Sequence, residues 1–311
     1  MMRLTEQARG VFVIAPTPFR EDGALDLDSA ERMTDAFLAA GAAGLTLLGV
    51  MGEAPKLDAE EALAFTARVL RRVNGRVPVV VGVTAPGFAS MRALARGAME
   101  AGAAAVMIAP PAGLRGDDAV VAYMAQAAEA VGDAPIVLQD FPQANGIHFS
   151  VDMIRRIAAD PRVVMLKAED WPGLDKITAI RRLEAEGGIR RLSIMGGNGG
   201  LFLPHELERG TDGVMTGYAV PEMLVRVCRL MAEGRRDAAH DLFGPHLPLI
   251  RYETQPGLGL VVRKYVLVRR GIIACAAIRA PGPKLTPETR AEVDFLLARL
   301  AARDPAVALA A

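Results

Sequence analysis

The sequence has two cysteines, Cys228 and Cys275, too few for a disulfide framework and without the spacing of metal ligands. A reducing compartment is the simpler expectation. Neither charge is in excess, with 36 basic residues against 36 acidic ones. That balance argues against nucleic-acid or anionic-membrane partners, which normally leave a basic surplus. No stretch approaches the roughly 18 uninterrupted apolar residues of a membrane span. The N-terminal MMRLTEQARG also lacks an apolar signal core, so a soluble cytoplasmic protein is expected. The four histidines, His148, His205, His240 and His246, do not fall together at strand ends. Neither a metal site nor any cofactor is expected.

What is present is a long alternation. Composition is 51% hydrophobic and 23% charged, enough for a sizeable core. Short β-branched runs recur: VFVIAPTPF from Val11, GLTLLGV from Gly44, VPVVVGVT from Val77, AAVMIAP from Ala104, PIVLQD from Pro135, VVMLK from Val163, RLSIMGG from Arg191 and GVMTGY from Gly213. Continuous apolar runs of this length suit strands covered on both faces. Helix-like segments separate them, such as Asp58–Val73, with Asp58 as N-cap, Glu61 three residues on and arginines at the far end. Eight βα units in succession predict a (β/α)8 barrel, at the usual size of about 250 residues. A doubly wound open sheet is the competitor, but no Gly-rich fingerprint follows the first strand. Beyond about residue 235 the alternation gives way to helical pattern. The expected organisation is a barrel over 1–235 and a C-terminal helical extension over 236–311.

In such a barrel the chemistry sits at the C-terminal ends of the strands. Lys167 ends the sixth, directly after four apolar residues, in a chain with only five lysines among its 36 basic residues. One reading is a strand-end lysine snorkelling to water. The other is a nucleophile: a neutral amine captures a carbonyl as a Schiff base, which arginine cannot do, and desolvation favours the neutral form. Alternation places Glu169 on the face of Lys167 and Ala168 on the opposite one.

Several motifs, in order, carry a resemblance: GVFVIAPTPF at the start, GVMGE over 49–53, Lys167, and RAPGPKLTP from Arg279. Together they resemble the dihydrodipicolinate synthase / N-acetylneuraminate lyase family over nearly the whole chain. The resemblance implies a (β/α)8 barrel with a C-terminal helical extension, a Schiff base between Lys167 and pyruvate or another 2-oxo acid, and a homotetramer or homodimer. Gly49, Val50, Met51, Gly52 and Glu53 then form the substrate-binding turn. Backbone N–H groups there suit the acid's carboxylate, although an ordinary tight βα turn explains the glycines too. Met215 and Gly197 are further expected substrate contacts.

The departures bear on function. The family's relay tyrosine falls on Gln139, which cannot act as an acid or base near neutrality. A relay threonine falls on Val50, a second tyrosine on Ala112, and the arginine that holds the second substrate on Ala144. Loss of a proton relay typically costs about 10²–10⁴-fold. Condensation of pyruvate with aspartate semialdehyde is therefore expected to be poor. Tyr218, after the eighth strand, is a candidate replacement, or a ring packed under the next helix. Glu169 and Asp170 are candidate bases, or members of structural ion pairs. Asp140 is expected to face away from Gln139, and His148 to be a loop residue. Trp171 either walls the pocket or packs beside Pro172. The glycine-rich GGNGG, 196–200, follows strand seven, where barrels often bind phosphate, although flexibility beside the active site explains those glycines too. The expected activity is a Schiff-base lyase. Aldol cleavage or dehydration of a 2-keto-3-deoxy sugar acid is the variant reading, and a non-catalytic 2-oxo acid binding protein the remaining one.

Overall fold

The computed structural model describes residues 2–310. Its centre is a closed barrel of eight parallel strands in sequence order: β1 Gly10–Ile14, β2 Gly44–Leu47, β3 Val79–Gly82, β4 Ala105–Ile108, β5 Ile136–Asp140, β6 Val163–Ala168, β7 Ser193–Gly196 and β8 Gly213–Thr216. Closure is made by β1 pairing with β8, Gly10 to Gly213 and Val13 to Thr216. The expected (β/α)8 barrel is the observed fold.

Alternation sorts the side chains into two cores. Leu45, Leu47, Val79, Val81, Ile108, Leu138, Leu166 and Ile194 face outward and pack with the surrounding helices. Phe12, Ile14, Val80, Met107, Val137, Met165, Met195 and Met215 fill the interior. Four of those eight are methionines, whose unbranched chains fit the irregular space of a closed barrel. The helix Ala59–Val73 starts as its sequence dictates. Asp58 and Glu61 form a reciprocal capping box, Arg71 and Arg72 occupy the last turn, and Asn74 closes it in the left-handed region.

The first strand is shorter than its apolar run suggests. The last ladder bond runs from Ala15 N–H to Thr46 O at 2.9 Å, because Pro16 and Pro18 beyond it lack the N–H that a ladder needs. The segment turns over the barrel mouth instead, where the buried Thr17 hydroxyl donates to the Gly52 carbonyl at 2.6 Å. After the helix Pro221–Ala232 the chain continues as the helices Arg236–Phe243, Leu247–Glu253, Gly259–Arg269 and Pro287–Ala301. The third of these reaches back to the mouth: Leu260 packs against the interior cluster that contains Met51 and Ile14. Among the described residues no helix is long and apolar enough to cross a membrane.

Candidate active site

Lys167 is the inward-facing residue at the end of β6, in register with Gln139 on β5 and Met195 on β7. Its side chain is only 3% exposed. The ammonium nitrogen lies 2.6 Å from Glu169 Oε2, and Gln139 Nε2 donates to that same oxygen at 2.8 Å. One carboxylate oxygen thus serves both groups on the inner face. The Phe141 ring, its centroid 5.9 Å from the amine, closes one side.

Bare backbone makes room for this carboxylate. A Cβ on Gly197 would lie 2.3 Å from Glu169 Cγ, and one on Gly196 would lie 2.1 Å from Glu206 Oε2. Asn198, just beyond, donates its amide to the Glu169 carbonyl at 3.1 Å. Burial pushes the Glu206 carboxyl up to about 8, and the charge of Glu169 adds to the rise. Glu206 is therefore a neutral acid near pH 7, and its Oε2 has no partner. An ionisable carboxylate and a protonated one stand side by side behind the lysine.

The turn after β2 completes the mouth. Val50–Gly52 form a single 3-10 turn, in which Gly52 N–H donates to Gly49 O at 2.8 Å and Glu53 N–H to Val50 O at 3.2 Å. The amides of Val50 and Met51 take no part in either bond. A Cβ on Gly49 would meet Met107 Cε at 3.3 Å and Ile14 Cγ2 at 3.9 Å, so the turn lies directly over the barrel interior. The family model for the dihydrodipicolinate synthetase family matches residues 7–300. This chain belongs to that family.

Two curated relatives and one solved structure show its range. L-2-keto-3-deoxyarabonate dehydratase of Azospirillum brasilense is 33% identical over 310 residues, covering 97% of each chain. The 4-hydroxy-tetrahydrodipicolinate synthase 1 of Streptomyces coelicolor is 34% identical over 293 residues, covering 92% of each. The crystal structure of dihydrodipicolinate synthase from Rhodopseudomonas palustris superposes with a TM-score of 0.94 at 54% identity, covering 96% of this chain and all of that one. The two curated relatives, one named as a dehydratase and one as a synthase, are thus similarly distant in sequence, whereas the solved structure, named as a synthase, is nearer at 54% identity.

Within this family frame the remaining expected residues fall in different places. Met51 is buried at the mouth, whereas Val50 is 61% exposed and turns outward. Met215 lies inside the barrel. Glu53 requires a correction as a substrate contact. Its carboxylate is taken by Lys264 at 2.6 Å, Lys56 at 3.0 Å and the Arg279 N–H at 3.1 Å. It holds the turn to the C-terminal helices, with Phe19 lying beneath both Lys264 and Arg279.

Tyr218 requires a second correction as a catalytic residue. It is 1% exposed in the outer core, and its hydroxyl meets His246 Nδ1 at 2.8 Å, with Asp304 3.0 Å beyond His246 Nε2. Its phenol is directed away from the mouth. Asp170 and Asp140 also lie outside the barrel, sharing Lys176, with His148 2.8 Å from Asp170. Trp171 stacks edge-on against Phe202 at 5.9 Å, lining a surface cavity of about 550 Å3 with Leu174, Glu206 and Arg209. Ala112 and Ala144 are both exposed.

Three residues near the mouth were not singled out from the sequence: Phe141, Glu206 and Arg263. Phe141 carried a weak signal, standing two residues after Gln139 at the end of an apolar strand. The other two come from helices that follow β7 and β8, and no local pattern marks them.

Proposed function

We propose that this protein is a lyase that forms a Schiff base between Lys167 and a 2-oxo acid, and that it dehydrates a 2-keto-3-deoxy sugar acid. The observation that carries the reading is Glu169 Oε2, shared between the Lys167 amine and the Gln139 carboxamide. The carboxylate removes the ammonium proton, and the free amine attacks the C2 carbonyl. Glu169 returns that proton to the carbinolamine hydroxyl, which leaves as water, and the carboxylate is restored. The iminium acidifies C3. Glu169 takes the C3 proton to give the enamine and then returns a proton to the C4 hydroxyl as it leaves. Hydrolysis of the imine frees Lys167 and the dehydrated 2-oxo acid. The free amides of Val50 and Met51 hold the C1 carboxylate.

One carboxyl is enough for this sequence, since elimination moves a single proton out and back. Condensation with a second aldehyde relies in the family on relay hydroxyls and an arginine. Here those positions are Gln139, Val50, Ala112 and Ala144, and Tyr218 is turned away. The named dehydratase relative, spanning nearly the whole chain, supports the same choice. The test is borohydride reduction with pyruvate and with 2-keto-3-deoxypentonic acids, followed by peptide mass spectrometry and product analysis. An adduct on Lys167 and a dehydrated product are expected. A folded protein giving no adduct with any 2-oxo acid is instead a binding protein. Normal turnover of aspartate semialdehyde with pyruvate makes it a synthase.

A further inference from the structure

Arg263 is a charged side chain from the C-terminal extension that the reaction above leaves unused. It stands one turn after Leu260 on the helix Gly259–Arg269, and Leu260 packs on the barrel interior. Its Nη1 lies 3.1 Å from Met51 Sδ, at the turn after β2. Its Nη2 lies 3.3 Å from where a Cβ of Gly199 would stand, in the loop after β7. The guanidinium therefore bridges the two loops that flank the mouth. Its Nε donates to the buried carboxylate of Glu253 at 3.1 Å, which fixes the plane of the group from behind. Among the described residues the terminal nitrogens meet one hydrogen-bond acceptor, a thioether, which is a weak one. A buried-side anchor with its fork presented forward is the arrangement that receives a carboxylate through two parallel N–H bonds.

The loop on the other side fits this role. Gly196, Gly197, Gly199 and Gly200 bring no side chains, and Asn198 is turned back to the Glu169 carbonyl. A side chain at Gly199, whose φ is +71°, would also run into Thr254 Cγ2 at 2.6 Å. The glycines let neighbouring side chains close directly onto this loop, and Arg263 is the one that reaches it from the extension with a cationic group.

We propose that Arg263 reads the far end of the substrate and selects 2-oxo acids that carry a second carboxylate, so that the sugar acid dehydrated here is a diacid. This rests on the Schiff-base reading for its chemistry but not for its test. Matched pairs separate the two: 2-oxoglutarate against 2-oxopentanoate, and 2-oxoadipate against 2-oxohexanoate, each pair differing only in the terminal carboxylate. Binding is measured by calorimetry and capture by borohydride, with pyruvate as reference, on the wild type, R263Q and R263K. The wild type is expected to favour the diacid of at least one pair by about 10–100-fold, the value of a charge-assisted hydrogen-bonded pair. R263Q is expected to bring that ratio close to one. R263K, which keeps the charge without the fork, is expected to fall between, and it carries the test if R263Q does not fold.

Equal affinity for both members of each pair in the wild type overturns the proposal, as does a diacid preference that survives R263Q. Absence of any borohydride adduct, pyruvate included, overturns the Schiff-base reading alone. The calorimetric ratios still decide the role of Arg263.

Discussion

Two lysine–carboxylate clusters stand back to back across β5 and β6, one residue out of phase. On the inside, Lys167 meets Glu169 and Gln139. On the outside, Lys176 bonds Asp140 at 2.8 Å and also Asp170, which in turn holds His148. Residue types are nearly the same, yet the balance differs. The inner amine has one carboxylate, whose oxygen is shared with a neutral amide. The outer amine is clamped between two carboxylates. Burial pushes Asp140 up to about 6 against the pull of Lys176. Burial works to raise Asp170 as well, but Lys176 and His148 bring it below its ordinary value. The comparison teaches that two lysines with similar neighbours are set apart by the face of the barrel wall they occupy and by how many carboxylates answer each.

The sharpest way to break this comparison is K167R. It keeps a cation on the inner face and removes the nucleophile, so borohydride capture and turnover are expected to vanish while circular dichroism is preserved. E169Q comes next. Lys167 remains, but the base is gone, and kcat is expected to fall about 10²–10⁴-fold. Adduct formation should slow less than product release. Equal loss in both steps would show that Glu169 acts only before imine formation.

On the outside the same kind of change should read as stability. K176M strands two carboxylates, Asp140 buried and Asp170 nearly so, and is expected to cost about 3–5 kcal/mol in chemical denaturation. Borohydride capture per folded molecule should change little. Loss of capture before loss of fold would erase the distinction between the clusters.

A smaller effect comes from the acid behind Glu169. Folded Glu206 keeps its proton up to about 8, whereas its ordinary value is 4.5, so the unfolded chain gives that proton up first. Its contribution to stability is therefore full below about 4.5 and declines as pH rises toward 8. E206Q should remove a decline on the order of a few kcal/mol, seen as a smaller fall in Tm between pH 5 and pH 8. The smallest expected change is Y218F, which removes a hydrogen bond to His246 and should cost about 1 kcal/mol without altering the pH profile of kcat.

The sequence made the eight strands and Lys167 legible because both signals are local: an apolar run, and a charge at its end. Parity was legible as well, and it accounts for Tyr218. Counting two residues from the inward Met215 gives Gly217, whose Cβ would lie 2.2 Å from Met51 Cε, so Tyr218 must face outward. Glu53 was read by position in a motif, while its partners, Lys264 and Arg279, lie more than 200 residues away. Arg263 and Glu206 are of the same kind. Nothing in the local pattern of their helices marks them, and only the docking of those helices gives the two side chains their places.

The Glu53 clamp also bears on when the site comes into being. Ribosomal synthesis delivers the eight strands, Lys167 and Glu169 well before Lys264 and Arg279 leave the exit tunnel. Until then the turn that carries the amides of Val50 and Met51 has a buried carboxylate without two of its three cationic or N–H partners. A chain arrested near residue 250 would therefore hold Lys167 and Glu169 but not a braced turn beside them. The last helices act in this sense as the final brace of the mouth, put in place only after every strand of the barrel has been made.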